Sequence, residues 1–286
     1  MRPEGSTLAV LGAGTMGRGI ARAAATAGMR VVLYDVDRAA ADRVAQALDG
    51  AGTVGAGTVA ADVAGAVRDA DVVLECVPEI LAVKIATLAE AHRHARPAAL
   101  LGTNTSTMSI AALAAAAGCP GRLLGLHFFN PAEKMRLVEV VRAPDTPPAE
   151  VRRGEAFARA LGKTPIVVLD APGFVTSRLG LALGNEAMLV LQSGIASASA
   201  IDAAMRLGFN HPMGPLELAD LVGLDARLNN LRTLHEARRE DRFAPPQVLV
   251  DLVAANQLGL KTGAGFYRYD EQRTQLGEAP LPGGAA

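Results

Sequence analysis

A histidine and a glutamate lie close together in HFFNPAEKMRLVEVV, residues 127–141, where a buried strand would carry apolar side chains. His127 closes the apolar run RLLGL, and Glu139 sits between Val138 and Val140. A carboxylate in such a place needs a partner, because an unpaired buried charge is costly. Taken singly, His127 reads as a histidine capping a strand and Glu139 as the partner of Arg136 or Arg142. Taken together, a strand end, a turn through Asn130-Pro131 and a returning strand fold Glu139 back beside His127. A carboxylate that accepts the Nδ1–H of an imidazole fixes its tautomer and raises its basicity, freeing Nε2 to take a proton from a hydroxyl. Beside a nicotinamide, that is the chemistry of alcohol oxidation.

The elements that would position this pair start at the N-terminus. In TLAVLGAGTMGRGIARAAATAGMRVVLYDVD, the strand Leu8 to Leu11 leads into Gly12, Ala13, Gly14, Thr15, Met16 and Gly17, spaced as G-x-G-x-x-G. An alanine-rich helix follows, then a second strand from Met29 to Tyr34 closed by Asp35. Gly12 suits a tight turn, Gly14 a close approach to a pyrophosphate, and Gly17 close helix–strand packing. The helix N-terminus offers free N–H groups to phosphates. Asp35 stands where a carboxylate accepts from the adenosine ribose, which favours NAD over NADP; Arg38 nearby points mildly the other way. Further βα units follow, and Asp35, Glu79, Ser106 and His127 all fall at carboxyl ends of predicted strands, the ligand edge of open parallel sheets. The βα rhythm stops near 170. Helices are expected from there, near 198–208, 215–238 and 245–258, and the closing GEAPLPGGAA reads as a flexible tail. The expected architecture is α/β: a Rossmann-type dinucleotide-binding domain over 1–170 and an all-helical domain over 171–286.

The gross numbers narrow the function classes. The 286 residues suffice for one large domain or two ordinary ones. A net charge of -1, few aromatics and no Trp argue against nucleic acid and anionic membranes as partners. Two cysteines, Cys76 and Cys119, make neither a disulfide framework nor a metal cluster, so no metal is expected. No stretch reads as a signal peptide or a bilayer span, which predicts a cytoplasmic protein.

The motifs LGAGTMGRGIA, VPEILAVK, TNTST, GLHFFNP, KMRLVEVV, PGFVTSR, HPMGPLELADLVGLD and KTGAGFY, in this order over nearly the whole chain, resemble the L-3-hydroxyacyl-CoA dehydrogenase family. The bacterial 3-hydroxybutyryl-CoA dehydrogenases are the most similar branch. The resemblance implies NAD-dependent oxidation of an L-3-hydroxyacyl thioester, with His127 as catalytic base and Glu139 as its orienting partner. It implies that Ser106 contacts cofactor and substrate, that Glu79, Lys84, Asn130 and Lys261 contact NAD, and that the C-terminal helices pair two subunits as a homodimer.

Two departures stand out. The family usually has asparagine where this chain has Ser177, which offers fewer hydrogen-bonding groups, so Ser177 is carried over only as a weak catalytic candidate. Between Asp35 and Glu79 the chain is also shorter by most of a helical hairpin that touches the CoA adenosine end, and no lysine occurs between Asp35 and Lys84. Either a loop has been trimmed without consequence, or the thioester arrives on an acyl carrier protein, as for glyceryl units in polyketide extender-unit formation. Two other readings compete. A 3-hydroxyisobutyrate-type β-hydroxyacid dehydrogenase would need a lysine on the helix over 174–192, which has none. Against an inactive nucleotide-binding relative stands the His127–Glu139 pair, while Ser177 keeps that reading open.

Overall fold

The computed structural model describes residues 4–50 and 57–282, and the chain divides into two units, Met1–Phe174 and Val175–Ala286. In the first unit the elements are β1 (Thr7–Leu11), α1 (Thr15–Thr26), β2 (Arg30–Tyr34), α2 (Arg38–Gly50), β3 (Gly57–Val59), α3 (Val63–Val67) and β4 (Val72–Glu75). They continue with α4 (Leu81–His94), β5 (Leu100–Thr103), α5 (Ile110–Ala116), β6 (Leu123–Phe128), β7 (Leu137–Arg142), α6 (Pro148–Ala160) and β8 (Thr164–Leu169). The centre of the glycine-rich stretch DGAGTVGAGT lies outside the described residues.

All eight strands form one sheet in the order β3-β2-β1-β4-β5-β6-β7-β8. β1 to β6 run parallel, β7 returns antiparallel on β6, and β8 lies parallel to β7. A sheet buried on both faces needs strands that are apolar throughout. Leu8, Val10, Leu33, Leu74 and Leu126 accordingly pack into one core cluster, and Ala9, Leu11, Val73 and Leu101 into another. Strand order reverses between β1 and β4, which opens a crevice at their carboxyl ends.

The second unit contains α7 (Thr176–Gln192), α8 (Ala198–Gly208), α9 (Pro215–Val222), α10 (Leu224–Arg238), a single 3-10 turn and α11 (Gln247–Ala254). The helix expected over 215–238 is two helices, because Gly223 at φ 104 caps both α9 and α10 and breaks the run. The unit is also not all-helical. β9 (Tyr267–Tyr269) and β10 (Gln275–Glu278) form an antiparallel hairpin, so part of the expected tail is ordered, and Ala279 beyond it is buried.

Two buried aspartates sew this hairpin to the helices. Asp202 accepts the N–H groups of Leu216 and Glu217 at 2.9 Å each and the Tyr267 hydroxyl at 2.6 Å. Asp220 accepts the N–H groups of Phe266 and Tyr267 at 3.0 and 2.9 Å and the Tyr269 hydroxyl at 3.0 Å. Turn composition in the tail carried no sign of these long-range partners. Among the described residues no helix is long and apolar enough to cross a membrane.

Candidate active site

The turn from β1 into α1 is built for a ligand. At Gly12 φ is 106, and a Cβ there would meet the Cys76 carbonyl oxygen at 2.6 Å. A Cβ on Gly17 would stand 1.8 Å from the Gly12 oxygen, so α1 reaches β1 only because residue 17 has no side chain. A Cβ on Gly14 would meet nothing within 4 Å, which leaves its backbone open to an approaching phosphate. The Asp35 carboxylate is anchored at the end of β2 by accepting the N–H groups of Ala13 at 2.6 Å and Asp37 at 2.9 Å. Gly12, Tyr34, Asp35, Val77 and Val83 line a cavity of about 270 Å³.

Farther along the same strand ends, Met16, Val77, Glu79, Asn104, Ser106 and His127 line a second cavity of about 340 Å³. His127 and Glu139 are direct partners in the antiparallel β6–β7 pair, so their side chains project to the same face. Their neighbours Leu126, Phe128, Val138 and Val140 point to the opposite face, into the first core cluster. The His127 Nδ1 lies 2.7 Å from the Glu139 Oε2, and Glu139 is fully buried. The imidazole packs against Phe129 at 4.5 Å and Phe174 at 5.9 Å between ring centroids. Of the partners open to Glu139 in the sequence, the fold brings it His127.

The Lys84 side chain is completely buried. The ammonium donates to both Glu75 oxygens at 3.0 and 3.1 Å and to the Asn104 carbonyl at 3.4 Å, and it lies 3.3 Å from the Glu79 carboxylate. Glu75 also accepts the Thr103 hydroxyl at 2.6 Å and the Val77 N–H at 2.7 Å. Burial pushes the Glu75 carboxyl upward against the opposing pull of the Lys84 ammonium. Glu79 faces the cavity and accepts the hydroxyls of Thr105 and Thr107. The Asn104 Oδ1 accepts the Phe128 N–H at 2.9 Å, which ties the end of β5 to the residue after His127.

Sequence reading missed Glu75 and Asn104. The signal at Glu75 is the one that singled out Glu139: an acid inside an apolar run, here VVLECV.

Three further candidates complete the set. Asn130 lines a third cavity with Thr15 and Arg18, apart from the one that holds His127. In the second unit, Ser177 stands in the first turn of α7, and the Lys261 ammonium is 2.5 Å from Asp225.

Comparison with known proteins places the chain in a family. Residues 7–171 match the family model described as 3-hydroxyacyl-CoA dehydrogenase, NAD binding domain, and residues 173–269 match its C-terminal domain. A probable 3-hydroxybutyryl-CoA dehydrogenase of Deinococcus radiodurans is 39% identical over 91% of this chain and 99% of its own. A 3-hydroxybutyryl-CoA dehydrogenase of Bradyrhizobium diazoefficiens is 39% identical over 96% of each chain. The crystal structure of the (S)-3-hydroxybutyryl-CoA dehydrogenase of Ralstonia eutropha superposes with a TM-score of 0.86 at 35% identity, covering 93% of this chain and 99% of that one. With an NAD cradle at its sheet edge and both family domains in order along its length, the chain belongs to the 3-hydroxyacyl-CoA dehydrogenase family, NAD-dependent oxidoreductases that act on CH–OH groups.

Proposed function

We propose that this protein oxidises the hydroxyl of an L-3-hydroxyacyl-CoA of the 3-hydroxybutyryl type, with His127 as general base and Glu139 as the group that holds it. The observation that carries this reading is the 2.7 Å contact from Glu139 to the His127 Nδ1 in a ring that lines the cavity beside the dinucleotide cradle. With Nδ1–H donated to the carboxylate, Nε2 keeps its lone pair for the substrate hydroxyl proton. Glu139 offsets the charge His127 gains on protonation without any reorganisation. Bound NAD supplies the hydride acceptor. Ser106, at the same cavity, offers a hydroxyl to the oxygen that becomes the ketone, and Ser177 is the second hydrogen-bonding candidate. Asp35 would hold the ribose of bound NAD, and Glu79 lines the cavity that His127 also lines.

His127→Gln should lower kcat by ~10²–10⁴-fold, the usual worth of a general base, and leave NAD affinity within about twofold. Full turnover in this variant, followed at the NADH absorbance, would place the base elsewhere.

A second reading keeps the chemistry and changes the carrier. Only residues 51–56 separate α2 from β3, and no lysine lies between Asp35 and Lys84. A carrier-bound acyl group such as glyceryl needs no grip on CoA adenosine. Higher kcat/KM on a carrier-bound ester than on its CoA ester would favour that reading, and the reverse would end it. Homodimer formation through the second unit is part of both readings. Ile195, Leu207, Phe209, Leu221 and Val222 expose apolar side chains there, and sedimentation equilibrium measures the assembly directly.

A further inference from the structure

The third cavity, about 340 Å³, opens along the outer face of α1. Arg18 and Arg22 stand at i and i+4 of that helix, so they share a face with Thr15, and both are exposed. Among the described residues neither guanidinium is paired with an acid, whereas Arg38 and Arg43 on the neighbouring α2 both are. The opposite wall is apolar, formed by Val44, Ala47 and Leu48 of α2, and Asn130 and Glu133 complete the rim.

This cavity has fixed walls. The buried Lys163 ammonium donates to the carbonyls of Ala132, Glu133 and Met135 at 2.7, 3.2 and 2.8 Å, which pins the loop that carries the rim. The loop sits close against α1 because residue 19 is glycine: a Cβ there would lie 3.1 Å from the Ala132 Cβ and 2.8 Å from the Glu133 Oε2.

Its position relative to the reacting histidine is also informative. Met16 lines the His127 cavity and Thr15 lines this one, while His127 and Phe128 line the former and Asn130 and Pro131 the latter. Residues 127 to 130 span at most about 10 Å, less than the reach of an extended phosphopantetheine arm. Two unpaired guanidinium groups facing an apolar wall suit a ligand with a phosphate at one end and an uncharged chain behind it.

We propose that Arg18 and Arg22 bind the phosphate end of the phosphopantetheine arm that delivers the thioester. The proposal rests on the thioester reading above. It names a chemistry that coenzyme A and an acyl carrier protein share.

Calorimetric titration of the full chain tests it without turnover. The wild type should bind 4′-phosphopantetheine about tenfold more tightly than pantetheine, and Arg18→Ala/Arg22→Ala should abolish the difference. Equal affinity of the wild type for both probes, or a preference that survives in the double variant, overturns the proposal.

Kinetics then separate the sources. The double variant should raise KM about tenfold for acetoacetyl-CoA, for the carrier-bound ester, or for both, and leave the phosphate-free acetoacetyl-N-acetylcysteamine unchanged. An equal rise on all three esters also counts against it. If the wild type turns over no thioester at all, the functional reading fails, and the titration still decides the phosphate site.

Discussion

Two buried pairs stand at the strand ends, His127 with Glu139 and Lys84 with Glu75. Glu139 is fully buried and Lys84 is fully buried, yet each meets an opposite or polarisable partner within hydrogen-bond distance. Replacing Glu139 with Gln keeps an oxygen for the Nδ1–H and removes the charge that balances a protonated imidazole. A fall in kcat of about 10²-fold with KM for NAD unchanged is therefore expected; stopped-flow measurement of NADH formation checks it. Glu75→Gln acts differently, because it removes the buried acid partner of Lys84 and leaves the partly exposed Glu79. Urea unfolding should show a loss of about 3–5 kcal/mol, much of it recovered when Lys84→Met is added so that neither buried charge remains. If the single variant is as stable as the wild type, the pair does not hold the strand ends together.

At the scale of elements, the register of β6 against β7 does what neither strand could do alone. Antiparallel pairing puts residue 127 opposite residue 139, and the two-residue side-chain period sends both to one face. The cradle works the same way, through the fit of α1 against β1. Gly17→Ala would place a methyl group 1.8 Å from the Gly12 oxygen, so the helix must move off the strand. Its N-terminal N–H groups would then lose their aim at the pyrophosphate. NAD affinity measured by calorimetry should drop by at least about tenfold, while the second unit, which has its own core, keeps its helical signal.

Across the whole molecule, buried acids set how stability responds to pH. Burial pushes the Asp220 carboxyl up to about 6, against the hydrogen bonds from Phe266, Tyr267 and Tyr269 that favour its charge. An acid whose folded-state value exceeds its unfolded value of ~3.9 binds more protons when folded. Its contribution is full below that unfolded value and is lost as pH rises through about 6. Asp202 and Glu75 are shifted in the same direction. The stability difference between the wild type and Asp220→Asn should therefore fall by roughly 1 kcal/mol between pH 5 and 7.5, as measured by urea unfolding at each pH. A difference that does not change with pH would show that Asp220 stays ionised throughout.

Much of this was legible in the chain because the signals are local. The strand–glycine–helix–strand–acid pattern depends on backbone geometry within about thirty residues, which is why G-x-G-x-x-G and Asp35 could be read directly. Glu139 was legible as an anomaly, a charge where a buried strand wants an apolar residue. Its partner was decided by tertiary structure, since only strand pairing could choose between His127 and a nearby arginine. Lys84 shows the same limit from the other side: helical spacing cannot tell whether a lysine points at a cofactor or into a buried pair with Glu75. The ordered C-terminal hairpin, held by Asp202 and Asp220, was invisible in its own residues because its partners are more than forty positions away. Local patterns carry geometry that the backbone enforces, whereas long-range pairing of buried charges is settled only when the core closes around them.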